Sequence, residues 1–220
     1  MDLAKRRELA RTLLDGYASG PAASTKATAQ ALTKVYDAST IVFVEGISDQ
    51  IALETLAARL GWDLGGEGVV ILPMGGAHAV TCYLRRFGPL GAGVRLAGLC
   101  DTGEEAVYRR GLAEAGLGSP RARAEMEQFG FYVCVHDLEE ELIRAVGASV
   151  VEALFDSQGD LGSFRSLQRQ PAWRGRKIEA QMRRFLGSGA RRKLRYARLL
   201  AGAVELDRLP HPLDGVLAEM

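Results

Sequence analysis

Four short apolar runs, each followed by an amphipathic stretch of helical period, restrict the fold of this chain more than any other feature. The runs lie at 41–45, 69–73, 94–100 and 130–135. The stretches that follow them fall at 49–60, near 77–87, at 104–115 and in "LEEELIRAVG". Buried strands alternating with helices require crossover connections, and these give βαβ units and a largely parallel sheet. The expected fold class is therefore α/β: a Rossmann-like, mostly parallel sheet flanked by helices. Residues 1–39 read as an N-terminal helical extension, with helices at 2–18 and 26–38 around a Gly-Pro break, and 40–148 as the α/β core. Residues 149–220 read as a helical, Arg-rich part completing the domain.

Composition removes several classes of function. With 28 Lys plus Arg against 27 Asp plus Glu the net charge is +1, so any attraction to nucleic acid must come from local patches. The three cysteines show no CxxC spacing, and Cys100 and Cys134 sit inside apolar runs, where free thiols pack as small hydrophobes. That usage suits a reducing compartment. The N-terminal sequence has no apolar signal-peptide core, and no window approaches a membrane span of about 18 apolar residues. A soluble, cytoplasmic protein with no membrane partner is expected.

In open parallel sheets ligands bind beyond the carboxyl ends of the strands. Three of the four strands deliver carboxylates there. Glu45 directly ends the first run, with Asp49 in the next helical turn. Asp101 ends the third, ahead of Glu104 and Glu105. The fourth leads into "HDLEEEL", which contains Asp137 and Glu139. A carboxylate terminating a buried strand is costly unless paired, and gathered like charges repel unless a cation neutralises them. Hard oxygen donors select a hard divalent ion, Mg²⁺ or Mn²⁺. The Gly pair in "PMGGAHA" is not a dinucleotide fingerprint and reads as a tight strand-to-helix turn. His78 beside it reads as a surface residue.

The segments "IVFVEGISDQIALETLA", "VVILPMGGA" and "LAGLCDTGEE" resemble the Toprim domain shared by topoisomerases, bacterial primases and the OLD (overcoming lysogenization defect) nucleases, and most resemble the OLD-type branch. The resemblance spans roughly residues 40–200. It implies a Toprim fold and a divalent-metal-dependent endonuclease: a phosphodiester-cleaving hydrolase or related nucleotidyl transferase acting on nucleic acid, DNA in the first instance. It makes Glu45 a metal ligand or general acid/base, Asp49 a ligand on the first helical turn, and Asp101 the first aspartate of a D-x-D motif. Glu139 becomes the acidic residue after the fourth strand, and Lys193 the late lysine that neutralises the scissile phosphate. The second D-x-D position is Gly103, which leaves Glu104 or Glu105 as substitute donors. No G-x-x-x-x-G-K-[ST] is present, so the resemblance implies a Toprim protein without the ATPase domain, with a separate ATPase or helicase as a partner.

The last third carries "RGRK", "RR" and "RRKLR". Arg174, Arg176, Lys177, Arg191, Arg192 and Arg195 are candidate phosphate contacts, with Trp173 and Tyr196 as candidate base-stacking residues. The N-terminal helices could serve a homodimer or equally pack on the sheet. Three readings stand: a metal-dependent nuclease, a degenerate Toprim module that binds nucleic acid or a partner ATPase without cutting, and a Rossmann-like small-molecule enzyme. The last explains the strand-end carboxylates and basic tail less well.

Overall fold

The computed structural model describes residues 23–220; the helix expected at 2–18 lies outside them. Strands β1 (Thr40–Val44), β2 (Val69–Pro73), β3 (Arg95–Cys100) and β4 (Phe131–Val133) form one parallel sheet in the order β2-β1-β3-β4. Each strand falls within two residues of the bounds read from its apolar run. The runs are continuous rather than alternating because both sheet faces are covered. Val42, Val44, Ile71, Ala97 and Leu99 enter one core, while Ile41, Phe43, Val70, Leu72 and Leu96 enter the other.

The two cores recruit different helices. On the second face lie α3 (Val80–Phe87), α4 (Glu105–Glu114) and the short α5 (Arg123–Glu127). The first face receives α2 (Ile47–Arg59) and a helical block from the last third of the chain. That block comprises α6 (Leu138–Val146), α7 (Ala148–Ser157), α8 (Leu161–Arg169), α9 (Ile178–Leu186) and α10 (Ala190–Ala203). Its centre is an aromatic cluster in which Phe155 meets Phe164, Phe185 and Tyr196 edge-on at centroid separations of 4.9, 5.0 and 5.1 Å. Residues 149–220 therefore share one core with the first sheet face, largely through α2 and α6.

Both edge strands are shielded, as an edge with unpaired backbone groups must be. The helix α1 (Ala23–Lys34) buries Ala23, Ala27 and Ala31 beside β2, and the Thr28 hydroxyl donates to Pro73 O at 2.5 Å. At the other edge α11 (His211–Ala218) lies against β4. A Cβ at Gly215 would stand 2.1 Å from the Tyr132 ring, so the close approach of α11 requires glycine there. Among the described residues no helix is long and apolar enough to cross a membrane. Cys100 and Cys134 are buried free thiols, and Cys82 is an exposed one.

Helix α10 runs beside α2 in the same direction. At the C-terminal ends the Arg59 guanidinium donates to Ala201 O and Val204 O, both at 2.7 Å. At the N-terminal ends Lys193 comes into the field of Asp49. Sequence-distant α10 is thereby aligned with the carboxyl edge of β1. The aromatic cluster anchors this arrangement, so Phe155→Ala should cost about 3–5 kcal/mol in chemical denaturation.

Candidate metal centre

The first carboxylates come from the two central strands. The strand order reverses between β1 and β3, and Glu45 and Asp101 are the residues immediately beyond them. Glu45 is fixed through its backbone: its carbonyl accepts from Gly75 N at 3.0 Å and Gly76 N at 3.2 Å. Both glycines adopt positive φ, +75° and +127°, so the "PMGG" loop is a turn that seats the end of β1. Asp49 Oδ2 accepts from Gly46 N at 2.8 Å and caps the helix that starts there. Capping and a site role coexist in this residue.

The acidic run after β4 separates into distinct roles. Asp137 caps α6 by accepting from Glu140 N at 2.9 Å, and it pairs with the Arg183 guanidinium. Glu141 is buried, accepts from Val135 N at 2.6 Å and pairs with Arg144. Glu139 is 6% exposed. Its Oε1 lies 3.3 Å from Lys193 Nζ but receives no aligned hydrogen bond.

The charges that gather here are Glu45, Asp49, Asp101, Asp137 and Glu139, opposed by Lys193 and Arg183. Burial and the neighbouring carboxylates push Asp101 up to about 8. Burial raises Glu139 to about 7 against the opposing pull of Lys193. Glu45 is raised by burial and by Asp49. Asp101 shares a hydrogen bond with Glu45 that holds the Glu45 carboxyl down. A hydrogen bond between two carboxyl groups needs a proton on one of them, and Asp101 is the one that keeps it near neutral pH. Lys193 is raised despite its burial because Glu139, Asp49 and Asp101 favour its charged form.

The donor chemistry fits a hard divalent cation. The oxygens are carboxylates, negative charge exceeds positive, and a buried oxygen of Glu139 has only the unaligned Lys193 ammonium against it. In this conformation no three His, Cys, Asp or Glu side chains among the described residues are grouped as a ready cage. A Cβ at Gly103 meets nothing within 4 Å, so the second D-x-D position has room for a side chain that this chain lacks.

Several residues singled out in the sequence lie elsewhere. Glu105 is held by Arg123 at 2.9 Å and Arg109 at 3.5 Å. Glu104 bears on Glu45, whereas Glu105 is engaged in those ion pairs. Arg195 and Arg192 both pair with Asp160, the latter at 3.5 Å. The Arg192 guanidinium also stacks 4.1 Å from the Phe185 ring centroid. These two arginines are therefore committed to internal packing rather than free for phosphates. Tyr196 is fully buried and donates to Asp160 at 2.9 Å, which excludes it from base stacking. Trp173 is half-buried against the helical block. Arg174, Arg176, Lys177 and Arg191 are exposed, as is His78. Asp137, one of the strand-end carboxylates, borders the cluster together with Arg183, which no local sequence signal marks. An Asp three residues ahead of the helix residue whose N–H it accepts is a legible cap, but its partner on α9 is not.

Comparison with known proteins accords with this geometry. Residues 38–102 match the family described as "Overcoming lysogenization defect protein-like, TOPRIM domain". The fold is that of the C-terminal region of the Xanthomonas campestris pv. campestris OLD protein: TM-score 0.64, 21% identity, covering 84% of this chain and 93% of that one. The C-terminal region of the Burkholderia pseudomallei OLD protein gives a TM-score of 0.62 at 20% identity, covering 83% and 96%. No curated protein matches the chain significantly. The fold and the strand-end carboxylates are thus similar to those of a Toprim domain. More specifically, residues 38–102 are similar to an OLD-like Toprim domain, and the described chain has the fold of OLD C-terminal regions. Toprim domains generally bind divalent metals.

The raised Asp101 gives a signed prediction. Its folded value of about 8 stands above the ordinary carboxylate range of about 4, so the native state holds an extra proton between these limits. The associated stability is complete below about pH 4, is lost as pH rises, and is gone above about 8. In melts without divalent metal, wild-type Tm should fall between pH 5 and 8.5. Asp101→Asn should flatten that decline and melt higher than wild type at pH 8.5.

Proposed function

We propose that the chain is a cytoplasmic, divalent-metal-dependent endonuclease that hydrolyses phosphodiester bonds in DNA. The observation that carries this reading is the convergence of Glu45, Asp49, Asp101 and Glu139 with Lys193 at the carboxyl edge of the sheet. These elements are far apart in sequence, and five titrating groups would not be gathered at a cost in folding without a use for them. Glu45, Asp49, Asp101 and Glu139 would hold Mg²⁺ or Mn²⁺. The ion would supply Lewis acidity at the phosphoryl oxygen and an activated water.

The chain's own groups do the rest. The Asp101 proton, held against Glu45, would have to leave for a cation to be bound there, so metal binding should release protons below about pH 8. Glu45, linked to Asp101 and half-buried, would orient an attacking water or accept its proton. Lys193 would neutralise charge that grows on the scissile phosphate. Arg174, Arg176, Lys177 and Arg191 supply a sequence-independent footprint for the backbone.

A second reading, a non-cutting Toprim module that binds nucleic acid or a separate ATPase, is favoured by one observation: Gly103 removes a carboxylate where the second D-x-D aspartate would stand. Calorimetric titration with Mn²⁺ and Mg²⁺, followed by incubation with supercoiled plasmid, separates the two. Metal binding with metal-dependent nicking, both abolished in Asp101→Ala, is expected. Metal binding without nicking in wild type would favour the non-cutting module. Because the space at Gly103 is open, Gly103→Asp should fold normally and tighten metal binding on the order of tenfold, about the effect of one added ligand-scale interaction. Replacing Arg174, Arg176 and Lys177 together by Ala should lower the salt dependence of DNA binding by up to about 3 in log–log slope, roughly one per phosphate contact.

A further inference from the structure

Lys193 stands within the carboxylate cluster. Its ammonium is 3.3 Å from Glu139 Oε1, and Asp49 and Asp101 bear on it as well. Glu139 is only 6% exposed, yet that oxygen receives no aligned hydrogen bond. The contact is thus electrostatic occupancy by a point charge on a flexible four-carbon stem.

The base of that stem is held firmly. Asp160 gathers Arg192, Arg195 and the Tyr196 hydroxyl around the first turns of α10. The backbone beneath Lys193 is held by these contacts, while its side chain remains 42% exposed. The acids around it are not drawn into a three-ligand group in this conformation.

We propose that Lys193 is the resident counterion of the metal-free centre: its ammonium occupies the place of the divalent cation, and metal entry displaces it from Glu139 toward the substrate phosphate. The proposal rests on the metal-centre reading above and adds a coupling to it. An ammonium and a divalent ion cannot both sit against the same buried oxygen, because like charges repel strongly where water is sparse. Metal affinity in the free protein is therefore weakened by the lysine. A phosphate that draws Lys193 away removes the competitor, so nucleic acid and metal strengthen each other's binding, and by linkage they do so reciprocally.

Calorimetry of Mn²⁺ binding to the full chain, without nucleic acid, tests this with wild type, Lys193→Met and Lys193→Gln, each checked for folding by thermal melt. Both variants should bind Mn²⁺ on the order of tenfold more tightly than wild type, within the range typical of site coupling. Unchanged or weaker binding in a folded variant overturns the proposal. Absence of Mn²⁺ binding in all three proteins would instead overturn the metal-centre reading beneath it. A measurement on wild type alone guards against variants that fail to fold. Addition of diamagnetic Mg²⁺ should move the Lys193 side-chain NMR signals toward those of a solvated lysine; signals that stay put while Mg²⁺ binds also overturn the proposal.

Discussion

The crowding of like charge beyond the two central strands is the constraint on which the rest of this structure turns. Glu45 and Asp101 end neighbouring strands, and neither can retreat into solvent, because the backbone of each continues directly from a buried strand. The molecule relieves the repulsion in three ways. A proton remains on Asp101, the Asp49 carboxylate is partly consumed in capping, and a lysine from the last third of the chain enters the cluster. Each relief is partial, and the residue is a site that favours cations.

Delivery of that lysine explains the architecture of the C-terminal block. A helix can aim a side chain only if its rotation and register are held, and α10 is held at both ends. Asp160 gathers two arginines and a tyrosine near its start, while Arg59 of α2 binds the carbonyls at its end. The aromatic cluster around Phe155 supplies the apolar burial that seats α7, α8 and α9 beneath it. Much of the basic character of the segment "RRKLR" therefore serves to build the site rather than to decorate the surface.

The fold was largely legible because its signals are local. Each strand is a continuous apolar run, the helices between them have a helical period, and the alternation of the two dictates a parallel sheet. The strand-end position of Glu45 and Asp101 followed from the same pattern, since one residue past a buried strand is a place that sequence specifies. Roles within charge-rich segments were not legible. Glu104 and Glu105 are adjacent and chemically alike, but Arg123 and Arg109 capture one while the other bears on Glu45. In "RRKLR" the helical turn sends Arg192 and Arg195 to Asp160 and Lys193 to Glu139.

The sequence by itself determined the parallel α/β layering, the edge at which a site must form and the hard-oxygen character of its donors. These follow from hydrophobic periodicity and the cost of burying charge, and both are properties of short segments. Only the tertiary structure decided which acids share protons, which cations are spent on internal pairs, and that a lysine about ninety residues beyond Asp101 stands in the cluster. Those outcomes depend on distances of a few ångströms between segments far apart in the chain, where Coulomb energies change steeply and no local pattern records the partner.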